Sequence, residues 1–336
     1  MAAARTVVTE LPDFPHLAEL PARGPGADMV GRAAGLLVDI TVETTPRGWR
    51  LSSERPGKDL RRAKSLLSHD LDALEETLDG YSGLLKIQVA GPWTLAATME
   101  QPHSLKPALA DPGAVADLTA SLAEGLAGHV AEVAKRVPGA RIVVQLDEPA
   151  LPAAIDGTVP TPSGLSRVRA VDEEIIRARL RTVLSAASPH YTVVHCCART
   201  IPFAIIRGVG ASGVSFDLSQ LRGTEGWDAL AETAEAGLGL LVGLPAPERT
   251  IPTPSTNRAP AIPTTDPASR QKPENIARTV AATWRRMGLP PATCAPQVVI
   301  TPACGLASAS PDEAQATLRR VREAAKILPE IMEESS

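Results

Sequence analysis

The run Val193-Val194-His195-Cys196-Cys197 sets an imidazole and two thiols at the end of an apolar, β-branched stretch. Side chains alternate between the two faces of a strand, so His195 and Cys197 share one face and Cys196 takes the other. An imidazole and a thiolate on one face at a strand's end are a chelating pair suited to zinc. A further thiol, Cys304, follows a second apolar run in Ile300-Thr301-Pro302-Ala303-Cys304-Gly305. On spacing alone, adjacent cysteines fit equally well as small core residues, since free cysteine is among the most buried residue types.

The elements that must position these groups alternate along the chain. Candidate strands are His16–Leu20, Leu85–Ala90, Arg141–Leu146, Tyr191–His195, Gly213–Asp217, Leu238–Leu244 and Gln297–Thr301. Several are unbroken apolar runs, as strands buried on both faces should be. Between them lie helices with an apolar stripe. The clearest is Pro112–Arg136, where Val115, Leu118, Leu122, Leu126, Val130 and Val133 recur at three- and four-residue steps. Ser310, Pro311 and Glu313 form a capping-box start for the last helix. Strand–helix alternation over this length predicts an α/β fold with a parallel sheet, and we read it as a TIM-type (β/α)8 barrel. In such barrels the active site lies at the C-terminal ends of the strands, where His195, Cys197 and Cys304 stand. The chain opens in a helix at Ala2–Glu10, and an eighth strand would have to precede it. The expectation is therefore a barrel lacking its first strand, with residues 1–336 forming one domain. Val42–Asp59 reads as a surface excursion, and Pro245–Pro273 as a Pro/Thr-rich loop over one barrel end.

Composition narrows the function classes. With 44% hydrophobic and 21% charged residues, a sizeable core is available. Aromatic residues make up 3%, the formal net charge is −4 and no basic run occurs, which argues against a nucleic-acid partner. No apolar stretch is long enough to span a membrane, and the opening residues lack the pattern of a secretory signal. The expected location is cytoplasmic. In a reducing compartment, four cysteines are metal ligands, catalytic groups or core thiols rather than disulfides.

Four motifs in order carry a resemblance. Gly91-Pro92-Trp93-Thr94-Leu95, Gln145-Leu146-Asp147-Glu148-Pro149-Ala150-Leu151, His195-Cys196-Cys197 and Thr301-Pro302-Ala303-Cys304-Gly305-Leu306 together look like the catalytic barrel of cobalamin-independent methionine synthases. The similarity runs from about Leu17 to the C-terminus and is to single-barrel members. It implies Zn²⁺ held by His195, Cys197 and Cys304, and transfer of a methyl group to the thiol of homocysteine to form methionine. The family's next ligand, a Glu after the sixth strand, falls on Asp217, one methylene shorter; it is read as a ligand, against the alternative of an Asp capping its own turn. Asp147 matches the carboxylate that holds the ammonium of homocysteine, against the alternative of a buried ion pair with a Lys or Arg. Glu19, at the end of the first visible strand, is a second candidate ammonium contact.

The departures concern the methyl donor. The family's proton-relaying His falls on Leu244-Pro245-Ala246-Pro247, its pterin-contacting Trp near Thr98, and a folate-contacting acid on Ala153. Methyltetrahydrofolate and a corrinoid are thus equally admissible donors. Two competing readings are alkyl transfer to another thiol such as coenzyme M, against which Asp147 argues, and a degenerate, non-catalytic zinc- or thiol-binding barrel. Gly208-Val209-Gly210-Ala211-Ser212-Gly213 matches a dinucleotide fingerprint but follows a helix and opens a strand, so it reads as a turn. Cys294 and the remaining histidines have no partners at ligand spacing.

Overall fold

The computed structural model describes residues 1–52, 56–244 and 272–334. The chain divides into two compact units, Met1–Ser215 and Phe216–Ser336. Most of the expected Pro/Thr-rich loop at 245–273 lies outside the described residues, as do the positions after Leu244 where the relay His was sought.

Eight strands are present among the described residues: β1 (Thr41–Thr45), β2 (Gly48–Ser52), β3 (Gly83–Ala90), β4 (Ala140–Asp147), β5 (Tyr191–Cys196), β6 (Gly213–Asp217), β7 (Gly239–Leu244) and β8 (Val298–Pro302). The last six form one sheet in the sequential order β3-β4-β5-β6-β7-β8. Sequential order with helical crossovers is the TIM-type α/β arrangement, here with six of the full eight strands among the described residues. Six of the seven strands expected from the sequence are found.

The seventh, His16–Leu20, is reduced to a single parallel bridge between His16 and Lys86. Leu17 N donates to Lys86 O at 2.9 Å, and Lys86 N donates to Pro15 O at 2.9 Å. Proline explains the brevity: Pro15 has no N–H for the ladder, and Pro21 starts the 3₁₀ turn Pro21–Arg23.

In the first unit β3 runs parallel to β4, pairing Gln88 with Gln145 and Ala90 with Asp147. β4 runs parallel to β5, pairing Asp147 with His195. The helix Pro112–Arg136 forms where its stripe predicts, with Val115, Leu118, Leu122, Leu126, Val130 and Val133 buried. Asp111 caps it, its Oδ1 accepting from Gly113 N at 2.8 Å. The described residues of the Val42–Asp59 stretch are more ordered than a surface excursion. β1 and β2 make an antiparallel hairpin, with Val42, Trp49 and Leu51 buried. The apolar residues stand opposite one another in the pairing Val42–Leu51, which the Thr- and Arg-rich composition obscured.

In the second unit β7 and β8 are parallel, pairing Gly243 with Thr301 and Leu244 with Pro302. The helices Pro273–Arg286 and Pro311–Glu333 pack on each other there. Ser310 and Glu313 complete the expected capping box, Ser310 N donating to Glu313 Oε2 at 2.8 Å. Among the described residues no helix is long and apolar enough to cross a membrane.

Candidate functional site

The ends of β4 and β5 carry most of the candidate chemistry. Their backbones are tied by Glu148 N donating to His195 O at 2.8 Å, and β3 is tied to β4 by Gly91 N donating to Asp147 O at 2.9 Å. His195 is buried, with 9% of its surface exposed. Its Nδ1 shares a 2.9 Å hydrogen bond with Ser215 Oγ. A ring nitrogen of His195 and Sγ of Cys197 lie within 4.8 Å of each other, so the two groups do share a face. Cys196 points the other way, is fully buried, and has its thiol pKa pushed up to about 12 by that burial. It is a packing residue, whereas Cys197 is half-buried. The period-two alternation read from the sequence thus separates the two thiols correctly.

The donor set suits zinc. A neutral imidazole fixed through one nitrogen offers the other to a metal, and the Ser215 hydroxyl is the kind of partner that fixes it. A soft thiolate beside it favours zinc over harder cations. Ser215 has no motif of its own in the sequence; only its place two residues before Asp217, on the face it shares with that residue, could have marked it.

Asp147 is 7% exposed at the last position of β4. Its Oδ1 accepts from Gln145 Nε2 at 2.7 Å, and Gln145 Oε1 accepts from Lys86 Nζ at 3.2 Å. Glu19 Oε1 lies 3.1 Å from Arg32 Nε. Arg32 Nη1 and Arg23 Nη2 each stand 2.7 Å from Asp70 Oδ2. Burial raises the Glu19 pKa, Arg32 opposes that rise, and Asp147 and Lys86 act on it more weakly with opposite signs. Glu19, Asp147 and Lys86 therefore feel one another electrostatically. Gln145 entered only as the first residue of a motif and Lys86 and Gln88 not at all, since a lone Lys in an apolar strand carries no spacing signal.

Glu148 supplies the physical reason for two of the motifs. Its carboxylate is fully buried against the start of the helix Pro92–Thr98. Oε1 accepts from Trp93 N at 3.0 Å, and Oε2 accepts from Thr94 N and Thr94 Oγ1, each at 2.7 Å. Burial nevertheless pushes its pKa up to about 7 against those three donors. The Gly-Pro-x-Thr and Asp-Glu-Pro motifs are the two halves of this contact, which holds Asp147 at the end of its strand.

In the second unit Asp217 ends β6. Its Oδ1 accepts from Ser219 N at 2.8 Å and its Oδ2 from Gln220 Nε2 at 3.1 Å. Both oxygens are thus engaged by its own turn, as in the capping alternative. Cys304 follows β8 and is exposed.

A family model for the cobalamin-independent synthase catalytic domain matches residues 3–327. The chain belongs to that family. Family membership implies methyl transfer to a thiol of the homocysteine class and a place in methionine-forming chemistry. Among solved structures, the chain is similar to a B12-independent methionine synthase from Shewanella sp. W3-18-1 in complex with selenomethionine. The identity is 15% and the TM-score 0.52, over 88% of this chain and 76% of that one. At that identity the likeness shows the shared fold alone. No curated protein matches the chain.

Proposed function

We propose that this family member is a zinc-dependent methyltransferase acting on the thiol of homocysteine, from a donor that is methyltetrahydrofolate or a corrinoid. The observation that carries the reading is the paired presentation of His195 and Cys197, with Nδ1 of His195 tied to Ser215 at 2.9 Å. His195 Nε2, Cys197 Sγ and Cys304 Sγ would hold the metal, within one catalytic barrel domain. A zinc ion held by these three groups would lower the pKa of the substrate thiol and so supply a thiolate nucleophile.

The chain's own residues do the remaining work. Ser215 holds the imidazole of His195 in one orientation by accepting the Nδ1 proton. Asp147, anchored by Gln145, offers a carboxylate to the substrate's ammonium, with Glu19 as a second contact. Glu148 secures the turn behind Asp147, so this carboxylate is preorganised rather than searching. Asp217 keeps its hydrogen bonds to Ser219 and Gln220 and is the least favoured of the candidate ligands.

The test is zinc stoichiometry by elemental analysis on untagged protein, alongside Cys304→Ala and Cys197→Ala. About one zinc per chain, lost in both variants, supports the ligand set. Zinc that survives both substitutions removes it, and zinc binding without turnover on folate, corrinoid or sulfonium donors would favour a non-catalytic barrel.

A further inference from the structure

Setting aside Glu148, which lies behind Asp147 with its pKa pushed up to about 7 and its oxygens turned to Trp93 and Thr94, the cluster around Lys86 is balanced in charge before any substrate arrives. Asp70 and Glu19 face Arg23 and Arg32, an even count. Asp147 faces Lys86 through the Gln145 amide, which can have only one orientation: Lys86 only donates, and ionised Asp147 only accepts. His16, bridged to the backbone of Lys86, adds no charge at neutral pH, because burial and the charge of Lys86 lower its pKa to about 3. Gln88 donates from Nε2 to Leu17 O at 2.7 Å. Its Oε1 is buried with no hydrogen-bond partner among the described residues. A buried acceptor left open on a side chain that also touches the Glu19 carboxylate is a place for an N–H donor to arrive.

We propose that Lys86 is a positioning residue for an ammonium-bearing thiol substrate, balancing Glu19 and Asp147 while the site is empty and releasing its proton to solvent when the substrate's ammonium takes over that role. The inference rests on the reading of Asp147 and Glu19 as ammonium contacts. Bringing a fourth cation, beside Arg23, Arg32 and Lys86, into a neutral, partly dehydrated cluster leaves one uncompensated positive charge. The two arginines cannot shed a proton, whereas a buried lysine can. Burial is the largest influence on Lys86 and lowers its pKa; Asp147 and then Glu19 are what hold the proton on. Those are the same two charges that an incoming ammonium neutralises. The arrangement therefore selects for thiols that bring their own ammonium, since a neutral or anionic thiol leaves Lys86 charged and the carboxylates already matched.

The experiment is calorimetric titration of the zinc-loaded protein with L-methionine, which carries the ammonium but no thiol proton. Runs in buffers of different ionisation enthalpy count the protons exchanged. The wild type should release on the order of one proton per L-methionine at neutral pH, with affinity rising as pH rises. Lys86→Met should bind at least as tightly with no proton release, and Lys86→Arg should bind at least tenfold more weakly, also with none. Equal proton release in wild type and Lys86→Met overturns the proposal, as does binding by the wild type with no proton released. Binding of L-methionine to none of the three overturns it together with the ammonium reading of Asp147, while the zinc stoichiometry independently decides the metal site.

Discussion

The carboxylate of Glu148 stands directly over the α-carbon of Gly91: a methyl group placed there would lie 2.3 Å from Oε1 and 2.5 Å from Cδ. The carboxylate cannot swing aside cheaply, because it accepts three hydrogen bonds from Trp93 and Thr94. Gly91→Ala should therefore destabilise the fold by about 1–3 kcal/mol, measured by denaturant unfolding. Glu148→Asp, which withdraws the carboxylate by one methylene, should make the double variant less unstable than the sum of the two single changes. Strict additivity would mean that the two residues are not in contact.

Removing the Ser215 hydroxyl should loosen the metal without removing a ligand. In Ser215→Ala the His195 ring loses its 2.9 Å partner. The expected result is a tenfold to roughly hundredfold loss of zinc affinity in competition with a chelator, while stoichiometry at saturating zinc stays at about one. Unchanged affinity would show that the ring is held by packing alone.

These two contacts also show what the sequence could and could not disclose. The pairing of His195 with Cys197, and the exclusion of Cys196, follow from strand periodicity and needed no structure. The positions of β3 to β8 were legible for the same reason, as buried parallel strands leave long apolar runs. What stayed hidden was side-chain partnership at a distance. Nothing near Lys86 in the chain announces Gln145, Asp147 or Glu19, which come from other segments. Glu148 and Gly91 are 57 residues apart in the chain, and only the fold makes them neighbours. The hairpin at β1 and β2 was missed because its three buried residues are spread through a polar, Thr-rich stretch.

Asp217 offers a sharp test of the ligand set. Its two oxygens accept from Ser219 N and Gln220 Nε2, so an oxygen that coordinated the metal would have to share its lone pairs with one of these donors. Asp217→Ala should keep about one zinc per chain and lose roughly 0.5–2 kcal/mol of stability through the lost cap. Loss of zinc in this variant, with the fold intact by circular dichroism, would instead place Asp217 on the metal.

Acid should destabilise the first unit through its buried histidines. His129 is 6% exposed, and burial first, then the charge of Arg32, lowers its pKa from 6.5 to about 4. Unfolded, the ring takes a proton near its ordinary pKa; folded, it stays neutral until much lower pH. The stability this provides is complete above the unfolded value and is lost as pH falls from about 6.5 toward about 4. His16 behaves in the same direction. The slope contributed by one such histidine is on the order of 1.4 kcal/mol per pH unit across that window. His129→Leu, which has no proton to take up and fills a similar apolar site, should flatten the dependence of the urea midpoint on pH without abolishing it, because His16 remains. A variant whose acid profile superimposes on the wild type would show that folding leaves the His129 pKa unshifted, with Glu132, which acts to raise it, offsetting burial there.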